Sequence, residues 1–301
     1  MKPARVLPTR VYRFYRGGAL IDRLRGEPER DGDHPEDWIG SVVHARNAGR
    51  DEPLAGLSRL ADGSLLRDAV EADPDGWGAP NVLVKLLDSV ERLPVHAHPD
   101  RAFARRHLGS EYGKTEAWVI IATRGDDAEL WLGLREPVSR EQYRRWIDDQ
   151  DVAALLGSLH HLRVRAGDVV FVPAGVPHAI GAGALTVELQ EPSDFSIVCE
   201  WTGYPISPDE AHLGLGWDIA LDALRLEPFE PTLGLPPNEF FSVDELAEPG
   251  GRFGVLLVLA GEGELAGEPV RPGDAFVLPA ACDTFDVRGD LRVIRCLGGS
   301  S

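Results

Sequence analysis

Two histidines separated by one residue, in Leu93-Pro94-Val95-His96-Ala97-His98, act together only where the chain is extended. On a strand, residues i and i+2 project to the same face, so both imidazoles would point at one centre. A third histidine closes Gly167-Asp168-Val169-Val170-Phe171-Val172-Pro173-Ala174-Gly175-Val176-Pro177-His178, where Pro173, Gly175 and Pro177 set a tight turn ahead of it. Glu116 lies between these motifs and adds a carboxylate. Three neutral imidazoles with one carboxylate suit Zn²⁺, and also Fe²⁺, Mn²⁺ or Ni²⁺. The expectation is one divalent metal ion, zinc foremost, held by His96, His98, Glu116 and His178.

The basic residues near these motifs are unusual. Only Lys2, Lys85 and Lys114 are lysines, and arginine supplies every other cation, so two compact, tunable ammonium groups sit beside the candidate ligands. Lys114 precedes Glu116 by two positions and shares its side of an extended segment, while Glu188 alternates with Thr186 and Gln190 on one face. Glu188 or a lysine of lowered pKa is the candidate for moving a proton, with Lys114 steadying a developing oxyanion. Glu188, Lys85 and Lys114 could instead close a barrel mouth as an ion-pair network.

Positioning such a set takes many short strands. The segments 82–87, 93–98, 117–122, 129–132, 161–164, 169–172, 185–189 and 196–201 read as strands between Gly, Pro and Asp turns, which suggests a barrel or sandwich. Helical patterns at 65–72, 141–146 and 152–159 flank or interrupt them, and 208–226 reads as one amphipathic helix. After it, Pro272-Gly273-Asp274-Ala275-Phe276-Val277-Leu278-Pro279 parallels the segment 166–173 but brings no histidine. The expected organisation is an N-terminal cover and metal-binding core over 1–205, a helical connector over 206–235, and a metal-free β segment over 236–301. That last segment is short for a closed barrel, so strands from elsewhere should complete it.

A formal charge of −18, from 31 basic and 49 acidic residues, excludes a phosphate-binding basic stripe, so neither nucleic acid nor membrane is an expected partner. No apolar run fits a signal peptide or a membrane span, and a cytoplasmic location is expected. Cys199, Cys282 and Cys296 are odd in number and set in apolar surroundings, as core thiols are.

The His-x-His and Gly-x5-Pro-x-Gly-x2-His segments resemble the two cupin signatures, which implies a mainly β fold with a jelly-roll barrel around the metal and a degenerate second cupin-like half. Pro94–Asp100, Gly113-Lys114-Thr115-Glu116-Ala117-Trp118, 172–180 and Val187-Glu188-Leu189-Gln190-Glu191-Pro192-Ser193-Asp194 resemble the type I mannose-6-phosphate isomerases, the short bacterial class. Glu36-Asp37-Trp38, the strand 83–88 and Gly261-Glu262-Gly263 extend the likeness over most of the chain. The resemblance implies a zinc-dependent aldose–ketose isomerase acting through an enediol on a hexose or its phosphate. It implies His98, Glu116 and His178 as ligands, with His96 in place of a glutamine. Trp38, Gln190, Asp194 and Arg101 are then candidate contacts for the substrate. One departure matters: the family's Ser-Asp-x-Thr-Tyr-Arg is Ser193-Asp194-Phe195-Ser196-Ile197-Val198 here, so a valine replaces an active-site arginine. A neutral sugar, a non-catalytic sugar-binding or regulatory cupin, and a metal cupin of another enzyme class are the readings this opens.

Overall fold

The computed structural model describes residues 1–47, 50, 52–245 and 248–299. The N-terminal segment supplies β1 (Ala4–Val6), β2 (Arg10–Val11) and β3 (Glu36–Ile39). The central part carries β4 (Leu83–Asp88), β5 (His96–Ala97), β6 (Glu116–Thr123), β7 (Ala128–Leu134), β8 (Leu159–Val164), β9 (Val169–Val172), β10 (His178–Ile180), β11 (Ala184–Gln190) and β12 (Ile197–Val198). The C-terminal part adds β13 (Phe241–Asp244), β14 (Gly254–Leu265), β15 (Glu268–Val270), β16 (Ala275–Leu278) and β17 (Val287–Gly298).

Three antiparallel sheets result, in the orders β2-β3-β4-β11-β6-β9, β12-β5-β10-β7-β8 and β1-β16-β14-β17-β13, with β15 hydrogen-bonded to β14. The first two form the jelly-roll sandwich and the third lies against its outer side. Side-chain parity explains the layering. On β4 and β11, Val84, Leu86, Val187 and Leu189 join one core with Val255, Leu257 and Val277 of the C-terminal sheet. Alternate residues of the same strands, Lys85 and Glu188 among them, therefore face the sandwich interior. On β5 the rule runs the other way. Val95 and Ala97 pack outward against Tyr143, Ile147 and Leu155 of the inserted helices, which turns His96 and His98 inward.

The inserted helices span Arg140–Asp148 and Val152–Gly157, and each starts where a side chain caps it: Ser139 accepts from the Gln142 amide and Asp151 from that of Ala154. The single helix expected over 208–226 does not form. It breaks into Pro208–Ala211, Trp217–Ala220 and a 3₁₀ turn at Leu221–Ala223, because Leu213, Gly214 and Gly216 all take positive φ, at 57°, 74° and 78°. Apolar periodicity persisted across a glycine pair that the backbone used as turns. The strand expected at 93–98 shrinks to His96–Ala97, since Pro94 has no amide to give a ladder. The C-terminal sheet takes β1 as its edge, with Ala4, Arg5 and Val6 opposite Val277, Phe276 and Ala275.

Candidate metal centre

His178 and His96 are direct partners across the β10–β5 ladder, and His98 follows one residue beyond β5. One ligand-capable atom from each of the three lies within 4.8 Å of the others, with all three rings buried. Glu116 enters from the facing sheet, at the start of β6. Its carboxylate lies 3.4 Å from His98 Nε2 and 3.3 Å from His178 Nε2. Two opposed sheets thus meet at four side chains.

The backbone decides which ring nitrogens are available. His96 Nδ1 lies 2.8 Å from the Pro94 carbonyl, His98 Nδ1 2.8 Å from that of Phe195, and His178 Nδ1 2.9 Å from that of Val176. Carbonyls only accept, so each Nδ1 carries the proton and each Nε2 presents a lone pair. Burial pushes the His98 pKa down to about 3 and that of His96 well below its ordinary value, with neighbouring imidazoles and Lys114 adding to the effect. Both rings are held neutral, as ligands must be. His178 Nε2 is buried without a hydrogen bond, an arrangement that costs free energy unless something binds there. The donor set fits a divalent metal.

Lys114 Nζ reaches 2.8 Å from His98 Nε2, 2.6 Å from Glu116 Oε2 and 3.6 Å from Glu188. Burial would lower its pKa, but Glu116 and Glu188 outweigh this and raise it. This direction is opposite to that of a lysine poised for proton transfer and accords with the oxyanion-steadying role expected of Lys114. Glu188 shows the opposite balance: burial and the repulsion of Glu116 and Glu36 lift its carboxyl, against the pull of Lys85 at 3.3 Å and of Lys114. Glu116, closest to Lys114 and His98, is depressed instead. Two carboxylates on adjoining strands thus sit in opposite electrostatic environments.

A cavity of about 930 Å³ opens over this set, lined by His96, Lys114, Glu116, Glu188, Lys85 and Asp194. The other candidate contacts lie elsewhere. Trp38 is fully buried, its indole donating to Glu36 at 2.7 Å, with Lys85 4.8 Å above the ring. Gln190 is buried and bonds the Ser193 and Glu191 carbonyls. Arg101, starting the helix Arg101–His107, pairs with Glu191 and Glu239. Glu191 also accepts from the Thr115 amide at 2.9 Å, so the Arg101–Glu191 pair is tied to the loop carrying Lys114. Arg101, a substrate contact on the family resemblance, is held in these ion pairs outside the cavity lining.

Sequence reasoning missed Arg13 and Tyr15 on the cavity wall, and named Glu36 there only as part of the family resemblance. Arg13 donates to Asp194 at 2.9 and 3.2 Å and lies 3.0 Å from Glu36, while the Tyr15 hydroxyl donates to Glu36. A signal existed in the alternation of Arg13 and Tyr15, but nothing local announced that this segment covers the cavity.

A jelly-roll sandwich with three buried imidazoles between its sheets defines a cupin-type protein with a group suited to metal. The mannose-6-phosphate isomerase of Streptococcus mutans is 31% identical over 243 residues, covering 71% of this chain and 72% of that protein. The crystal structure of the mannose 6-phosphate isomerase from Bacillus subtilis matches with a TM-score of 0.77 at 26% identity, over 98% of this chain and 99% of that one. The chain belongs to the mannose-6-phosphate isomerase family. The probable mannose-6-phosphate isomerase GmuF of Bacillus subtilis is 36% identical over 162 residues, which is 53% of this chain and 49% of that relative, so the match spans about half the relative's length. No protein-family model matches the chain. No helix among the described residues is long and apolar enough to cross a membrane.

Proposed function

We propose that the chain is a metal-dependent aldose–ketose isomerase acting on a hexose or hexose phosphate, with mannose 6-phosphate the substrate suggested by the relatives' names. The observation that carries this reading is the juxtaposition, on one cavity, of an imidazole–carboxylate donor set and a carboxylate of raised pKa beside a buried ammonium. His96, His98, Glu116 and His178 would hold the metal, zinc being the ion that best suits the donors. When bound, such a metal supplies Lewis-acid polarisation of the substrate's carbonyl and hydroxyl oxygens.

The chain's own residues account for the rest. Glu188, as carboxylate, takes the proton from C2 of the aldose while O1 gains a proton, which gives the enediol. Returning a proton to C1 while the C2 hydroxyl loses one completes the ketose, so no external oxidant or reductant is needed. Lys114 donates to the oxygen where negative charge develops. Lys85, 3.3 Å from Glu188, orients the carboxylate.

Elemental analysis of purified protein, followed by a screen of aldoses and aldose phosphates, tests the reading. About one zinc per chain and turnover of a mannose-type aldose are expected. His98→Ala should lose the metal, and Glu188→Gln should keep it while losing at least about a hundredfold in kcat, since a positioned general base contributes typically 10²–10⁴-fold. Full metal content with no turnover of any aldose would favour a sugar-binding cupin, a reading to which Val198 on the cavity wall lends support.

A further inference from the structure

The cavity is lined by Arg13, Arg46, Arg50, Lys85 and Lys114 as well as by His44 and His96, and their partners differ. Arg13 is bound to Asp194 and Glu36, Lys85 faces Glu188, and Lys114 faces Glu116. Arg50 pairs with Glu52 at 3.1 Å, and His44 meets the Glu52 carbonyl. Among the described residues, Arg46 is the one arginine or lysine of the lining without a carboxylate partner. Its backbone is fixed, because its amide donates to Asp194 Oδ2 at 2.8 Å and its carbonyl accepts from Arg13. Its guanidinium lies over the Phe195 ring, 5.0 Å from the centroid. Phe195 and Val198 line the same cavity, and Val198 pairs with His96 across β12 and β5. An exposed guanidinium without a carboxylate partner among the described residues, stacked on an aromatic face and anchored through the main chain, offers a forked donor set to an anion.

We propose that Arg46 is the specificity-determining residue of this cavity and takes the phosphate end of a sugar phosphate whose reacting carbons lie at Glu188 and Lys114. This rests on the isomerase reading. A phosphate is the only part of such a substrate that offers a full charge to a guanidinium, and every other cation of the wall is occupied by a carboxylate. Phe195 limits the rotamers of Arg46, so less freedom is lost on binding.

The test compares wild type, Arg46→Ala and Arg46→Lys in steady-state kinetics with mannose 6-phosphate and mannose, and in calorimetric titration with inorganic phosphate. Metal content is checked in each protein. Wild type should prefer the phosphorylated sugar, and Arg46→Ala should lower the ratio of the two kcat/KM values ten- to a hundredfold, mainly through KM. Arg46→Lys should recover part of that ratio, since the charge is retained without the fork. Phosphate binding should weaken in the same order. An equal loss on both sugars, or no loss on either, would overturn the assignment. If wild type turns over neither sugar, the isomerase reading fails by itself; titration then decides the role of Arg46, which is lost if phosphate binds Arg46→Ala as tightly as wild type.

Discussion

Arg13 links three carboxyl-bearing or aromatic partners on one wall of the cavity. It is buried, holds Asp194 through two hydrogen bonds, lies beside Glu36 and sits 5.3 Å over the Trp38 ring. Removing it would leave two buried carboxylates with less compensation, and breaking a buried pair from one side costs about 3–5 kcal/mol. Arg13→Met should therefore destabilise the protein by about that amount in urea titrations at neutral pH. The pH dependence gives the sign a second check. Arg13 and Lys85 outweigh burial and hold the Asp194 carboxyl well below its ordinary value, so this contribution is complete above the unfolded value of ~3.9 and is lost as pH falls below it. The gap between wild type and Arg13→Met should narrow on acidification below about pH 4, and a gap independent of pH would argue against the ion pair. The histidines were legible in the sequence because ligand spacing on a strand is a local property. Arg13 was not, because its partners lie 23 and 181 residues away and no local pattern encodes that meeting.

The elements that aim these residues are short, and turns do much of the work. Gly175 shows how. It adopts φ +84°, its amide donates to the His98 carbonyl at 2.7 Å, and its carbonyl accepts from the Arg225 amide. One residue in a left-handed conformation thus ties the turn before His178 to the segment bearing His98. An added Cβ would lie 3.1 Å from the Ala223 carbonyl as well as pay the steric penalty of positive φ, which is about 1–2 kcal/mol for an L-residue. Gly175→Ala should lower stability by about that much and weaken metal retention more than a substitution of equal cost in the C-terminal sheet. Equal metal affinity in both variants would mean that the turn does not position the ligands. This turn was readable because Pro, Gly and Pro fall within five residues. β9 was readable to its ends, 169–172, because an apolar run bounded by Gly-Asp and Pro has one reading. The break at Leu213 to Gly216 was harder, since the apolar spacing continues through it and the tertiary context decides the backbone. β1 to β3 went unread for a related reason: strands of 2–4 residues carry too few alternations to register as a period.

Across the whole molecule, the proposed division at residue 236 is a boundary in sequence more than in packing. The C-terminal sheet borrows β1 as an edge and shares its largest core with Val84, Leu86, Val187 and Leu189 of the sandwich, and with Leu20, Leu66 and Trp77 of the N-terminal cover. Arg5 reinforces the join through Glu268 and Asp274. A core shared this widely makes separate unfolding expensive, because opening the sheet would expose the sandwich's outer face together with its own. Cooperative two-state unfolding of the whole chain is the expected result. All seven tryptophans precede residue 218, and of these Trp77 belongs to the core shared with the C-terminal sheet, so in a Trp77→Phe background tryptophan fluorescence reports on the sandwich and its cover. Leu257, fully buried on β14, offers the test. Leu257→Ala should cost about 2–5 kcal/mol through lost burial and the cavity left behind. If the molecule is one cooperative unit, that loss appears in full in the fluorescence-detected urea transition, although the altered side chain lies 40 residues beyond the last tryptophan in sequence. An unchanged fluorescence midpoint, with faster hydrogen exchange confined to β14, β16 and β17, would show instead that the C-terminal sheet opens alone and that the sandwich holds its site without it.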